Sequence, residues 1–331
     1  MVLLLRRKSA SNASDIELLN YMNFDRQQLE TFSVVVETGH YGRAARVLNV
    51  TRGAVSQRII SMEEAFGTPL LVRDGVTPTP AGEILLHHIQ ALKLLEADTL
   101  RRIKPDASSR TKVGIAVNAD SLATWFAPAA CAIAKENIAL ELIVDDQNHT
   151  LAVLARGEAM GCVSTQQAAP TGFIAEPIGA MEYVCVAMRS FVQEYFPNGL
   201  NLRDILAAPA VLFNRKDGLH AAFLEQLLGF PVNGYAAHYF PSPESLLSAI
   251  QAGIGYGLVP SLQAQPLIDS SDLVALAPRE RISVDLYWHH WVIAPPNAQA
   301  ISDAVMDQAR RMLIQPSSAS PIKPDGNSAE R

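Results

Sequence analysis

Thr51-Arg52-Gly53-Ala54 opens a run that continues through Ser56-Gln57-Arg58 and is followed by Arg73. These residue types read and grip nucleic acid. An arginine matches guanine with two hydrogen bonds, a glutamine matches adenine, and hydroxyls and cations hold phosphate. Placed on the first two turns of a helix, Arg52, Gln57 and Arg58 are expected nearer base edges, and Thr51, Ser56 and Arg73 mostly on phosphate. Gly53 and Ala54 are small enough to let the backbone approach a duplex. Taken singly, each of these residues is an ordinary member of a solvated helical face. A second group, Asn118-Ala119-Asp120-Ser121, leaves a strand and starts a helix. Backbone N–H groups at such a start, with the Ser121 hydroxyl, suit a carboxylate. Asp120 and Ser121 also serve as plain helix caps.

The first group needs a scaffold, and the flanking pattern supplies one. Phe24–Glu37 reads as a helix with Leu29, Phe32, Val35 and Val36 on one face, and Gly39 ends it. Tyr41–Leu48 is a short second helix with Ala44, Ala45 and Leu48 inward. Asn49-Val50-Thr51 is a turn, and Thr51 caps a third helix running to Phe66 with Val55, Ile59 and Met62 buried. Pro69–Arg73 and Val76–Thr79 flank Asp74-Gly75, a hairpin signal. Together these make a winged helix-turn-helix, which puts one helix into the major groove. Pro80, capped by Thr79, then opens a long helix to Lys104 with an apolar stripe of Leu85, Ile89, Leu92, Leu95 and Thr99. A stripe on a long helix predicts dimerisation.

From Thr111 strands and helices alternate, which argues a doubly wound α/β architecture. Expected strands are Val113–Val117, Leu140–Val144, Met160–Ser164, Glu182–Met188, Ala210–Phe213, Ala236–Phe240, Gly257–Val259 and Val284–His290. Helices are expected at Ser121–Lys135, Thr150–Arg156 and Ala300–Leu313. Residues 1–22 read as a disordered extension, 23–80 as the DNA-binding domain, 80–104 as the linker helix, 111–314 as a second domain, and 315–331 as a disordered tail.

The bulk properties agree. The chain has 331 residues, of which 49% are hydrophobic, so sizeable cores are available. The net charge of −6 excludes a generic nucleic-acid coat, but the charge is uneven. Met1–Lys104 holds 13 basic and 11 acidic residues, and Tyr41–Arg73 sets five arginines against Glu63 and Glu64. A local basic face on an acidic chain fits specific DNA binding. Three cysteines without CxxC spacing read as buried free thiols in a reducing cytoplasm. No apolar run has transmembrane length, and Met1–Lys8 does not have the order of a signal peptide. Gly253-Ile-Gly255-Tyr-Gly257 leads into a strand and is a turn, not a dinucleotide loop. His87-His88 and His289-His290 are adjacent pairs without metal-ligand spacing, and Trp288 and Trp291 read as core. No metal, cofactor or catalytic constellation is expected.

The set Leu29-Glu30-Thr31-Phe32, Arg43-Ala44-Ala45, Leu48, Ala54-Val55-Ser56, Ile59, Glu63, Gly67, Leu70-Leu71-Val72-Arg73 and Thr79-Pro80-Ala81-Gly82 resembles the LysR-type transcriptional regulators. Ala116–Trp125, Tyr195-Phe196-Pro197-Asn198-Gly199 and Leu286-Tyr287-Trp288-His289 are similar to the lysine- and arginine-responsive ArgP/LysG branch of that family. Met62 replaces the usual leucine, and Arg52-Gly53 stands where Gln-Ser or Gln-Pro is common. The resemblance implies an N-terminal all-α winged helix-turn-helix with a long dimerisation helix. It implies a C-terminal α/β effector domain of two periplasmic-binding-protein-like subdomains, 111–164 with 267–314, and 165–266. It implies a ligand cleft between them, whose carboxylate site is Asn118, Ala119, Asp120 and Ser121. A basic amino acid also needs acids. Asp145 and Asp146 follow the second strand at the crevice edge, Ser164 lies where the chain crosses, and Asp217 and Glu244 come from the far side. Asp145-Asp146 also reads as a strand end, and Asp217 and Glu244 as surface loops. The implied partners are a pseudo-palindromic double-stranded operator, lysine or arginine, a second copy of the chain in a homodimer or homotetramer, and RNA polymerase, all in the cytoplasm. The implied targets are basic amino acid export or metabolism genes. The rival reading is a small-molecule binding or transport component with an incidental helical N-terminus.

Overall fold

A computed structural model describes residues 25–72, 76–103, 110–136, 138–144, 150–155, 157–170, 172–292 and 296–315. The expected extension at 1–22 and nearly all of the expected tail lie outside these. The chain divides into two units, Met1–Lys93 and Leu94–Arg331.

The first unit is built on α1 (Arg26–Thr38), α2 (Tyr41–Val47) and α3 (Arg52–Phe66), followed by α4 (Pro80–Ile103). Each of the first three starts on a side-chain cap. Asp25 accepts from the Gln27 N–H at 2.9 Å, His40 Nδ1 from the Gly42 N–H at 2.8 Å, and Thr51 Oγ1 from the Ala54 N–H at 3.1 Å. Gly39 and Gly67 end α1 and α3 in the left-handed region. The turn between α2 and α3 is made by Asn49, also left-handed at φ 53. Leu29, Phe32, Val35, Ala44, Ala45, Val55, Ile59 and Met62 form the core with Leu70, Leu71, Leu85, Leu86 and Ile89. The wing strands meet through an antiparallel Leu71–Pro78 bridge, with the Val72 N–H on the Thr77 carbonyl. Glu63 Oε1 fixes the wing from α3 by accepting the Leu70 and Leu71 N–H groups at 2.7 and 3.2 Å. Gly82 lies so close beneath that strand that a Cβ would run into the Leu70 carbonyl. The stripe expected on α4 is buried at its N-terminal end and exposed beyond it. Leu85 and Ile89 are buried, but Leu95 is 49% exposed, and Ile84, Leu100 and Ile103 join it in solvent.

The second unit is an α/β fold, as expected, around one mixed sheet in the order β2-β1-β3-β9-β4-β7. The strands are β1 (Thr111–Val117), β2 (Ile138–Val144), β3 (Gly161–Ser164), β4 (Phe173–Met188), β5 (Ala210–Leu212), β6 (Ala237–Tyr239), β7 (Gly257–Pro260), β8 (Leu273–Ala275) and β9 (Ile282–Trp291). β1 is parallel to β2 and β3. β5 and β6 form a separate parallel pair. β4 and β9 are the long members, paired antiparallel from Phe173–Trp291 to Tyr183–Ile282. One end of this ribbon carries β3, the other carries β7 and β8. Both halves of the unit are therefore hung on the same two strands. The expected return to the first half at residue 267 falls inside a helix, Ser261–Asp269. The chain then pairs β8 with β4 before β9 carries it back.

The helices of this unit are α5 (Ala119–Ser121), α6 (Ala127–Lys135), α7 (Thr150–Ala155), α8 (Arg189–Tyr195), α9 (Leu202–Ala207), α10 (Leu219–Leu228), α11 (Pro243–Gln251), α12 (Ser261–Asp269) and α13 (Pro296–Met312). The helix expected at Ser121–Lys135 is interrupted, because Leu122–Phe126 forms a π turn between α5 and α6. Pro128 supplies the reason: it has no N–H to return to the carbonyl four residues back, and its ring excludes that carbonyl. Trp288 and Trp291 are buried, as expected. Cys162 and Cys185 are buried too, and burial raises the Cys162 thiol to about 12. Cys131 is exposed, against the expectation of buried thiols. Gln315, read as the first residue of the tail, instead donates to the carbonyls of Ile178, Ala309 and Leu313.

Candidate functional site

In the N-terminal unit, α3 turns Val55, Ile59 and Met62 into the core and leaves Arg52, Gly53 and Gln57 exposed, with Ala54 and Ser56 half-buried. Arg43 and Arg46 on α2 are exposed as well. The Thr51 hydroxyl is already engaged as the cap. A Cβ on Gly53 would meet only the Thr51 hydroxyl, at 3.9 Å, so the fold itself does not require a glycine there. Arg58, also expected nearer base edges, is half-buried. Its guanidinium turns back to α1, donating from Nη1 to Thr31 Oγ1 and from Nη2 to Gln27 Oε1, both at 3.1 Å. Arg73 lies outside the described residues. The role of Glu63 as wing anchor has no signal in its local spacing.

In the second unit, the expected strand-to-helix corner is present. Asn118 caps α5 through Oδ1, which accepts from the Ser121 N–H at 3.0 Å. That N–H is therefore spent within the protein. Three donors remain without partners in the buried interior of this segment: Asn118 Nδ2, Ser121 Oγ–H and Trp125 Nε1–H. Unpartnered buried donors are costly, and sites that take a ligand are where they persist. β1 and β3 pair in register at Ala116–Cys162. Two residues further on, the same register sets Asn118 beside Ser164 at the carboxyl ends of parallel strands, the crevice where open α/β sheets bind ligands. Ser164 is buried, and its Oγ accepts from the Gln166 N–H at 3.2 Å. Asp145 and Asp146 lie outside the described residues.

Asp120, Asp217 and Glu244 come together although they are far apart in sequence. Burial pushes the half-buried Asp120 carboxyl up to about 6; a hydrogen bond from Tyr183 pulls it down, and Asp217 and Glu244 push it further up. Tyr183 Oη donates to Asp120 Oδ2 at 2.7 Å from the middle of β4. Burial, Asp120 and Asp217 hold the Tyr183 phenol well above its usual range, so it is a firm donor. Asp217 Oδ1 accepts from the Leu219 N–H at 2.9 Å, and Glu244 Oε2 accepts from Ser242 Oγ at 2.8 Å. Burial first, then Tyr239 and Asp217, raises the Tyr235 phenol. Arg215 covers the Tyr239 ring at 4.7 Å. Unpartnered donors thus lie next to the Asp120 carboxyl, and the charges of Asp217 and Glu244 act on that carboxyl. Sequence reasoning misses Tyr183, whose one signal is a polar tip inside an apolar strand.

The model of the family described as bacterial regulatory helix-turn-helix protein, lysR family, matches residues 26–83, and that of the LysR substrate binding domain matches residues 108–312. The chain is similar to the HTH-type transcriptional regulator ArgP of Photobacterium profundum, with 36% identity over 294 residues, covering 88% of this chain and 99% of that protein. Its structure resembles that of ArgP from Mycobacterium tuberculosis, with a TM-score of 0.78 and 33% identity, covering 89% of this chain and 100% of that one. It also resembles full-length LysG from Corynebacterium glutamicum with bound effector arginine, with a TM-score of 0.75 and 29% identity, covering 88% and 100% respectively.

Proposed function

Because the chain belongs to the LysR family of bacterial DNA-binding transcriptional regulators, we propose that its second unit senses a basic L-amino acid, arginine or lysine, and that α3 selects the operator accordingly. The observation that carries this reading is the convergence of Asp120, Asp217 and Glu244 on one site beside unpartnered donors. The donors Asn118 Nδ2 and Ser121 Oγ take the α-carboxylate, with Ala119 and Ser164 flanking it. Asp120, the next residue to the donors, takes the α-ammonium. Asp217 and Glu244 take the side-chain cation, and Asp145 and Asp146 add negative charge. The arginine bound to the Corynebacterium LysG has this set of charges, which supports the reading.

At the DNA, Arg52 and Gln57 meet base edges while Thr51, Ser56 and Arg73 position the helix on phosphate, with Gly53 and Ala54 allowing close approach. Ile84, Leu95, Leu100 and Ile103 leave an apolar face on α4 exposed. That face fits a second copy of the chain, giving a homodimer or homotetramer and hence a pseudo-palindromic operator. Ligand closure about β4 and β9 shifts the population of assembly geometries, which changes what RNA polymerase meets at the promoter. The protein acts in the cytoplasm, on genes of basic amino acid export or metabolism. Calorimetry of the full chain with arginine, lysine, citrulline and norleucine tests the effector. The two cationic amino acids bind and the two without a side-chain cation do not. Equal affinity for citrulline and arginine overturns the reading. Gel shifts on the gene's own upstream region, with and without each amino acid, test the output.

A further inference from the structure

Taking the site as one for arginine or lysine, we propose that Tyr183 is a positioning residue for the effector: its hydroxyl holds the Asp120 carboxylate in place, so that the α-ammonium meets a carboxylate already oriented. The bond is direct. Tyr183 Oη donates to Asp120 Oδ2 at 2.7 Å, the length of a hydrogen bond to an ionised oxygen. It engages one carboxylate oxygen and leaves Oδ1 to an incoming cation. The two partners are held very differently. Asp120 sits in α5, a three-residue turn that passes directly into the π turn Leu122–Phe126. The Thr124 hydroxyl goes to the Asp120 main-chain carbonyl, and the Asn118 amide oxygen goes to the Ser121 N–H, so neither orients the carboxylate. Tyr183 is buried in the middle of β4, paired with Ile282 of β9 on one side and Pro260 of β7 on the other. Its backbone is fixed by a three-strand ladder, and its side chain has only two torsions to settle. The hydroxyl is therefore a fixed point against which a less constrained carboxylate is set.

The bond also joins the two halves of the unit. Asp120 follows β1, whereas Tyr183 lies where the long ribbon carries β7. Helix α12, which follows Pro260, packs against the same Leu122–Phe126 turn, so the halves meet beside the bond. A buried phenol needs an acceptor, and a main-chain carbonyl would satisfy it. Here the acceptor is a carboxylate in the segment whose Asn118 Nδ2, Ser121 Oγ and Trp125 Nε1 are buried without partners. Those donors suit the α-carboxylate of an amino acid, and its α-ammonium stands one carbon away. Without the Tyr183 hydroxyl, the Asp120 side chain samples several rotamers in the free protein, and the effector must immobilise it on binding. That cost weakens ligands with an α-ammonium about three- to ten-fold. Ligands without one do not use the carboxylate and are spared.

The test is calorimetry, direct and by displacement of arginine, on the full-length wild type and Tyr183→Phe at pH 7.5. The ligands are arginine and lysine, with 5-guanidinopentanoate and 6-aminohexanoate, the same molecules lacking the α-amino group. The variant is expected to bind both amino acids about three- to ten-fold more weakly and both analogues as the wild type does. Undiminished affinity for arginine and lysine overturns the role of Tyr183 and leaves the effector reading standing. A variant that does not fold, or that loses affinity for all four ligands equally, places the hydroxyl in the service of the fold and overturns the proposal. No binding of arginine or lysine by the wild type overturns both this role and the effector reading. A second variant checks that Tyr183 acts through Asp120. In an Asp120→Asn background, Tyr183→Phe is expected to cost no further arginine affinity, and losses that add overturn the assignment.

Discussion

Arg58 donates to the Thr31 hydroxyl at 3.1 Å, reaching from the DNA-reading helix back to α1. Its second nitrogen bonds Gln27, so two of its five N–H donors are held within the fold. Position along the helix alone predicts a base contact. What position does not show is that α1 presents two acceptors opposite the second turn of α3.

Arg58→Ala is therefore expected first to lower the stability of the N-terminal unit. Two hydrogen bonds to a charged group, partly exposed, are worth about 1–3 kcal/mol together. Urea unfolding of the variant reads this directly. Thr31→Val, which removes one acceptor and leaves the arginine in place, is expected to cost about 1 kcal/mol. If Arg58→Ala unfolds at the wild-type midpoint but loses operator affinity with a shallower salt slope, Arg58 works at the DNA and not as a brace.

Gly53 makes the opposite case. Nothing in the fold crowds its missing side chain. Gly53→Ala is expected to leave stability unchanged or raise it by up to about 1 kcal/mol, from helix propensity alone. Operator affinity should fall, because the added methyl stands on the exposed face of the helix between Arg52 and Ala54. Parallel melting and gel-shift measurements separate the two effects. A variant that melts higher and binds as before removes Gly53 from the DNA surface.

The N-terminal unit is legible in the sequence because its signals are local. Thr51 precedes its helix, Gly39 and Gly67 follow theirs, and the stripes Leu29-Phe32-Val35 and Val55-Ile59-Met62 recur at helical spacing. The long crossover strand is less so. The sequence pattern predicts only Glu182–Met188, while β4 begins at Phe173. Glu176, Pro177 and Gly179 break the pattern of a strand, and the ladder absorbs them by a register shift between Pro177 and Gly179. In the effector site, Asn118 and Ser121 can be found because they sit at a strand-to-helix corner. That Asp120, Asp217 and Glu244 act on one another follows only from tertiary packing, and no spacing encodes it.

His220 gives an acid-side prediction for the second unit. It is buried among Tyr235 and Tyr256, with both ring nitrogens unpartnered, and burial lowers its pKa to about 4. The unfolded chain binds a proton on this ring below about 6.5, whereas the folded chain does so only below about 4. Stability is therefore lost as pH falls through that window, by up to about 3 kcal/mol from this one group. His220→Phe keeps the aromatic volume and cannot charge. Its melting temperature is expected to fall less steeply between pH 6.5 and 4 than that of the wild type. Parallel pH profiles for the two proteins assign the acid sensitivity to some other group.

Asp120 carries the opposite sign. Its folded pKa is raised, to about 6 against an ordinary value of 3.8. The stability associated with its neutral form is thus present at low pH and lost as pH rises through about 6. Asp120→Asn fixes a neutral side chain of the same shape, and its carbonyl still accepts from Tyr183. The variant is expected to melt above the wild type at pH 7.5, with the gap narrowing as the pH falls through about 6 toward 3.8, when no effector is present. Saturating arginine should reverse the order at pH 7.5, because only the carboxylate gains the ammonium. The effector-free half of this comparison reports on the destabilised site, and the arginine half on what relieves it. An effector-free Asp120→Asn protein that melts below the wild type at pH 7.5 shows that the carboxylate stabilises the fold on its own account.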